Sequence, residues 1–398
     1  MDLKRKQYML QYEDAKEIVS SYNNHQFWET QFKIDDYKVS TFNYFLCGYD
    51  DFMFPLGDKS NVTAFDMRGT CFVFDKNDNL CYTFYMLPKF FNINQVEETQ
   101  YDNIKDKKIQ NIGIKEDGSL IGFMKLPNNK IISKTIGSFV SDQSIEAMKI
   151  LNSNPEWKAW VNNMLDLDYT PLFEYVSYDN RIVLKYNKKQ IKFIGLRDNS
   201  AGDFIPSLCP IENHLDVFNE IPSDMKQIWS IKAPLDDLIE LSKTAKGIEG
   251  WVVLFEDGQL VKVKTEEYFK LHGIRTENIF REDYVIHNFL DEKLDDIISQ
   301  LDKETDQDAF DFIDIVVDAV KNFIGILDNQ MNIYNDWFIN RYNSDFKQFA
   351  INHHKDKFFN VFKNFLDTEN YNKRKIEFIK KKTAKLKRAK EFVELYKK

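Results

Sequence analysis

Along the first two thirds of the chain, apolar positions recur with a period of two, the spacing of half-buried strands. Residues 37–46 alternate in this way, and residues 64–74 and 80–87 pair around the Lys76–Asn79 turn. Apolar flanks also surround Lys115-Glu116-Asp117-Gly118-Ser119, and Asp-Gly is a tight-turn signal, so a lysine is predicted at the entry of a hairpin. Residues 122–126 and 130–134 form another hairpin around Pro127-Asn128-Asn129. Further strands are predicted at 172–176, 182–186 and 191–196, and 250–255 joins 260–264 through Glu256-Asp257-Gly258. Between them Ser141 caps a helix to about residue 151, and Asn154-Pro155-Glu156 opens another, with proline at the first helical position. Residues 1–30 read as a helical lead-in, and further helices begin near Pro234 and at 265–272.

The period then changes. No proline follows Pro234, and after Gly273 the one glycine is Gly325. Ile313, Val317, Val320, Ile324 and Leu327 recur at helical spacing, with Asp311, Asp314 and Asp318 on other faces. The expected class is α+β: antiparallel sheets over residues 1–275, followed by an all-helical domain over 276–398.

Length and composition fit two globular domains in 398 residues with 43% hydrophobic content. No apolar run reaches membrane-spanning length, and no signal-peptide core follows Met1-Asp2-Leu3-Lys4. The four cysteines include no Cys-x-x-Cys pair and read as idle thiols of a reducing compartment. The expectation is a cytoplasmic monomer, in the host cytoplasm if the chain is viral. Net charge is −9, yet residues 373–398 hold twelve Lys or Arg against three Glu. That basic end either touches phosphates or forms a docked helix with solvated lysines.

Several charges sit where a strand would rather carry an apolar residue. Arg68 precedes a strand, Lys89 stands before two phenylalanines, and Glu174 interrupts Leu172-Phe173-Glu174-Tyr175-Val176. Glu249 leads into Gly250-Trp251, while Lys262 and Lys264 alternate with Val261 and Val263 and so share one face of a strand.

In order and spacing, Lys115-Glu116-Asp117-Gly118, Phe173-Glu174-Tyr175, Glu249-Gly250-Trp251-Val252 and Val261-Lys262-Val263-Lys264 resemble motifs I, III, IV and V of lysine nucleotidyltransferases. Arg68-Gly69, Lys89-Phe90-Phe91-Asn92 and the segment 180–184 narrow the resemblance to the phage RNA ligase 1 family, over residues 37–272. The resemblance implies an ATP-grasp-like nucleotidyltransferase domain. It implies an enzyme that links AMP to Lys115, passes it to an RNA 5′-phosphate, and seals that end to a 3′-hydroxyl, with broken tRNA as the expected repair substrate. The expected cofactors are ATP and Mg²⁺, with Mn²⁺ as an alternative.

The same resemblance assigns Lys115, Glu174 and Tyr268 to catalysis. It assigns Phe42, Asn43, Arg68, Lys89, Glu116, Lys134, Glu249, Lys262 and Lys264 to the nucleotide, and Glu249 and Asp295 to the metal. Read without it, Tyr268 is a core tyrosine of a short helix and Asp295 part of a solvated acidic face. Physically, a lysine is nucleophilic only when deprotonated, and Lys262 and Lys264 facing Lys115 would depress its pKa and neutralise phosphates. Lys134-Thr135-Ile136-Gly137-Ser138 resembles motif Ia, where some members carry a second lysine just before the glycine; here Ile136 stands there, so either Lys134 supplies the charge or the contact is missing. The rival readings are a DNA ligase or capping-type nucleotidyltransferase, and a non-catalytic RNA-binding protein. The helical end, in place of an OB barrel, speaks against the first.

Overall fold

The computed structural model describes residues 9–21, 26–53, 64–178, 184, 186–207, 221–225, 228, 230–271, 278–301, 306–365, 368–384 and 386–397. Apart from Leu184, the predicted element 180–184 lies outside the described residues, as do residues 182, 183 and 185 of the predicted strand 182–186. The chain divides into two compact units, Met1–Ile18 with Glu29–Ile274 and Val19–Trp28 with Arg275–Lys398.

Three sheets occur. The first has the order β1 (Phe27–Ile34), β2 (Tyr37–Tyr44), β3 (Cys71–Phe74), β4 (Leu80–Phe84). Strand β1 falls where the sequence predicts a helical lead-in; among the described residues the helix there is Tyr12–Ser21. Two short segments follow, β5 (Phe91–Asn92) and β6 (Ile109–Lys115), and then β7 (Ser119–Lys125), β8 (Ile131–Lys134), β9 (Tyr169–Val176), β10 (Gln190–Asp198) and β11 (Phe204–Pro206). The remaining strands are β12 (Ser230–Ile231), β13 (Gly250–Phe255) and β14 (Leu260–Lys264). The second sheet runs β11-β10-β9-β7-β8 and the third β12-β6-β13-β14-β5. The β2–β3 and β3–β4 pairings and those of the two five-stranded sheets are antiparallel except β14 with β5, which is parallel.

The turn at Lys115 is therefore not a hairpin. Strand β6 belongs to the third sheet and β7 to the second, so Glu116-Asp117-Gly118 is the corner where the chain crosses between sheets. Gly118 is required there for close approach, since a Cβ would stand 2.3 Å from the Tyr175 carbonyl oxygen. At Gly258 the same Asp-Gly pair does close a hairpin, between β13 and β14, with φ at +85°.

Each five-stranded sheet buries one face. Trp160, Val161 and Met164 of helix Pro155–Asp166 pack against the second sheet, with Trp160 edge-on to Phe193 at 5.0 Å. On the third sheet Ile112, Trp251, Val253, Val261 and Val263 pack with Leu235 and Leu238 of helix Leu235–Thr244. The alternation in β14 thus works as read: valines go to this core, and Lys262 and Lys264 go to the opposite face.

Among the described residues from 278 on, the regular elements of the second unit are all helices, with a 34-residue helix, Gln307–Asn340, burying Ile313, Val320, Ile324 and Leu327. Asp328 on this helix pairs with Lys375 at 3.0 Å and accepts from Tyr371, all three nearly solvent-free. The basic end forms the helices Thr368–Lys382 and Leu386–Tyr396, which bury Ile379, Phe392 and Val393. Lys380 pairs with Asp291, and Lys382 lies 4.8 Å over the Phe323 ring. Much of the basic end is therefore docked structure. No helix among the described residues is long and apolar enough to cross a membrane.

Candidate active site

The register of the third sheet brings the distant motifs together. Gly250 pairs with Lys115 on one side and with Lys264 on the other, and Val252 likewise lies between Gly113 and Lys262. Because side chains alternate, all six residues share one face. Gly250 itself admits no side chain: its φ is +154°, and a Cβ would lie 2.1 Å from the Val263 carbonyl oxygen. The two flanking lysines therefore face each other across a strand position that carries no side chain of its own.

Glu249 fills that gap. Its carboxylate accepts from Lys115 at 2.7 Å and pairs with Lys264 at 3.2 Å, and it is 3% exposed. Burial works against its charge, but the two ammoniums hold its pKa below the usual carboxylate range. The reciprocal effect overturns one expectation. Burial alone would drive the Lys115 proton off, yet Glu249, Glu174 and Asp117 outweigh it, so the Lys115 pKa is raised. The cation whose proton is loosened is Lys262: burial comes first, then Lys89, Lys264, Lys115 and Arg68 all push its pKa well down.

The corner after Lys115 is pinned from several elements. The Gly118 amide donates to Glu174 at 3.1 Å. Asp117 accepts from the Leu184 amide at 2.7 Å and from the Tyr268 hydroxyl at 3.3 Å. Glu116 accepts from the Tyr186 hydroxyl and pairs with Lys192, so both its oxygens are engaged. Lys192 is the cross-strand partner of Glu174 but spends its charge on Glu116. Burial, aided by the repulsion of Glu249 and Glu116, pushes the Glu174 pKa up to about 8 against the pull of Lys115 and Arg68.

A cavity of about 400 Å³ opens between the two five-stranded sheets. Lys115, Glu116, Glu174, Arg68 and Lys262 line it together with apolar walls from Val252, Leu254 and Leu260 on one sheet and Ile194 and Phe204 on the other. Arg68 Nη1 donates to the Leu87 carbonyl at 3.2 Å, and Lys262 lies 4.8 Å over the Phe90 ring. Among the described residues Lys262 has no carboxylate partner. Such a space suits a flat apolar-faced ring with a strongly anionic appendage.

Other sequence-derived candidates lie elsewhere. Phe42 is fully buried, edge-on to Tyr12 and Phe72, and does not line the cavity. Asn43 is buried with its Oδ1 unpartnered. Lys89 lies 5.3 Å over the Phe91 ring. Tyr268 is buried in helix Glu266–Leu271, its ring 4.9 Å from the Lys264 ammonium. Lys134 has no exposure, donates to the carbonyls of Gly69 and Ile136, and has its pKa lowered by burial. Asp295 is in helix Leu294–Ile298 of the second unit. Lys192 and Arg197 were not singled out from sequence. Arg197, 1% exposed, pairs with buried Asp66 at 2.9 Å. Both cations interrupt the apolar pattern of Gln190–Asp198, which was the available signal.

The profile of the RNA ligase family matches residues 66–272. A Thermovibrio ammonificans protein named as a candidate RNA ligase is 24% identical over 217 residues, covering 53% of this chain. The chain spans about half of that relative's length, 55%. Among solved structures, an archaeal ATP-dependent RNA ligase is similar at a TM-score of 0.47 and 10% identity, over 76% of this chain and 75% of its own. A Naegleria gruberi RNA ligase mutant with AMP and Mn is similar at 0.36 and 13%, over 47% of this chain and 58% of its own. With more than half of its length matched, the chain belongs to the RNA ligase family, of the phage RNA ligase 1 type.

Proposed function

We propose that this chain is an ATP-dependent RNA ligase whose residues 1–275 form the adenylyltransferase domain and whose helical residues 276–398 select the RNA. The observation that carries the reading is that Lys115, Lys262 and Arg68 line a cavity with apolar walls, with Lys264 on the same sheet face beside Lys115. Four carboxylates are also near, yet Lys262 is left without one, and its proton is loosened by its neighbours. A cluster of this kind is relieved by a polyanion, as the phosphates of ATP would be.

In the first step the Lys115 amine attacks the α-phosphorus of ATP. An N–P bond forms, the bond from the α-phosphorus to the bridging oxygen breaks, and pyrophosphate leaves with the electron pair. The ammonium proton of Lys115 is lost to solvent before attack, and the remaining excess proton to solvent or pyrophosphate after it. Glu249 orients the amine, while Lys262, Lys264 and Arg68 stabilise charge on the phosphates, where positioned cations contribute most. The 5′-phosphate of RNA then takes the AMP and frees Lys115, and a 3′-hydroxyl displaces AMP to complete the phosphodiester. Glu174, neutral near pH 7 through its raised pKa, can donate as well as accept a hydrogen bond at the cavity wall.

A resident metal fits these residues less well. Both Glu249 oxygens are engaged by ammoniums, and no cluster of three His, Cys, Asp or Glu among the described residues is arranged to hold an ion. Mg²⁺, or Mn²⁺ in its place, is on this reading brought as the nucleotide complex.

The test is sealing of a 5′-phosphorylated, 3′-hydroxyl RNA with ATP, run with a cut tRNA anticodon loop beside a linear strand. Joining of either supports the ligase, and preference for the cut tRNA supports a repair role. Nucleotide transfer from GTP alone would favour the capping reading, and joining of DNA alone the DNA-ligase reading. No joining and no nucleotide transfer would favour a binding protein.

A further inference from the structure

Arg68 stands on a short turn that two buried cations hold from opposite ends. On the near side of the turn, Arg197 Nη2 donates to the Asp66 carboxylate at 2.9 Å. On the far side, Lys134 Nζ donates to the Gly69 carbonyl at 2.7 Å. The same ammonium donates to the Ile136 carbonyl at 2.8 Å, so it ties the turn to the loop that carries Thr135, Ile136 and Gly137 along the cavity wall. Neither cation reaches solvent: Lys134 is 0% and Arg197 1% exposed.

The backbone is shaped to receive this clamp. Gly69 has φ +85°, and a Cβ there would lie 2.8 Å from the Ile136 carbonyl oxygen, so only glycine lets the two segments close up. The Gly69 amide donates to the Phe42 carbonyl and the Thr70 hydroxyl to the Asp66 carbonyl, closing the turn on itself and on β2. Among the described residues Lys134 has no carboxylate partner. Burying an ammonium against two carbonyls and the Cys71 thiol, with no carboxylate, is costly, and such a site persists where the surrounding structure uses it.

We propose that Lys134 and Arg197 are positioning residues that set the Arg68 guanidinium at the cavity by clamping the Asp66–Gly69 turn, with Lys134 acting on backbone carbonyls and not on a ligand phosphate. This revises the expectation that Lys134 binds nucleotide, and it rests on the adenylation reading above for its kinetic consequence. A lysine that touched phosphate directly would contribute whether or not Arg68 is present; a clamp contributes only through it.

The experiment is a double-mutant cycle on the full chain, measuring kcat and KM for formation of the lysine–AMP adduct. Lys134→Met is expected to lower kcat/KM about tenfold or more in the native background and less than about twofold in an Arg68→Ala background. Equal losses in both backgrounds would overturn the clamp. Should Lys134→Met fail to fold, Lys134→Gln, whose amide can still serve one carbonyl, replaces it with the same expectations. Amide hydrogen exchange without ATP gives an independent reading: the peptide spanning Gly69 and Thr70 should exchange faster in either variant, and unchanged exchange contradicts the clamp. A wild-type chain that takes no AMP would sink the adenylation reading, while faster exchange would still support the clamp itself.

Discussion

Lys115 and Lys264 are held one strand apart by Gly250, and both ammoniums close on Glu249, at 2.7 and 3.2 Å. The register that achieves this joins residues more than a hundred positions apart, and it depends on a backbone position that tolerates no side chain. Gly250→Ala should therefore destabilise the first unit by more than about 2 kcal/mol, because the new methyl meets backbone that cannot yield. Denaturant unfolding checks this; a change below about 0.5 kcal/mol would show that the sheet can absorb the methyl.

Glu249 is the main carboxylate opposing the loss of the Lys115 proton. With Glu249→Gln the shape is kept and the charge removed, so the Lys115 pKa should fall. The amine should then react faster with an acylating reagent at a fixed, mildly alkaline pH. Peptide-level mass spectrometry reads the modification at Lys115, and unchanged reactivity would mean that other groups hold the proton.

Glu174 links the site to the pH dependence of stability. Its folded pKa of about 8 lies above the ordinary value of 4.5, so the folded state binds its proton more tightly than the unfolded chain. The stability it supplies is fully present below 4.5 and is lost as pH rises to about 8. Thermal unfolding of Glu174→Gln should fall less steeply than wild type across that window. Parallel curves for the two proteins would contradict the assignment.

The helical unit has its own test. Asp328, Lys375 and Tyr371 form a buried triad, and removing one charge strands the other. Asp328→Ala should cost about 3–5 kcal/mol, whereas replacing Asp328 and Lys375 together by apolar residues should recover most of it. Denaturant midpoints for the single and double variants decide between these outcomes.

Much of the site was legible because strand chemistry exposes it. Lys262 and Lys264 break a valine alternation, Glu249 stands before a glycine, and Arg68 and Lys89 precede apolar strands. What stayed hidden required knowing which sheet each strand joins. The Asp-Gly after Lys115 has the local signature of a hairpin, yet β6 and β7 part into different sheets, a choice made by pairing with β13 and β9. Of the carboxylates that raise the Lys115 pKa, Asp117 is its near neighbour in sequence, whereas Glu249 and Glu174 come from distant segments that local composition could not bring to it. Phe42 resembles a ligand contact by position, but Tyr12 and Phe72 enclose it in the core. Arg197 and Lys134 lie in strands, and their partners Asp66 and Gly69 are distant in sequence.

The central claim is that Lys115, held by Glu249 at the cavity, is the residue that takes AMP. Incubating the full chain with Mg²⁺ and ATP labelled in the α-phosphate, followed by peptide mapping, tests it most directly. Label on the peptide carrying Lys115, lost in Lys115→Ala and released by pyrophosphate, is the predicted result. Label on another residue, or undiminished label in Lys115→Ala, would contradict the account.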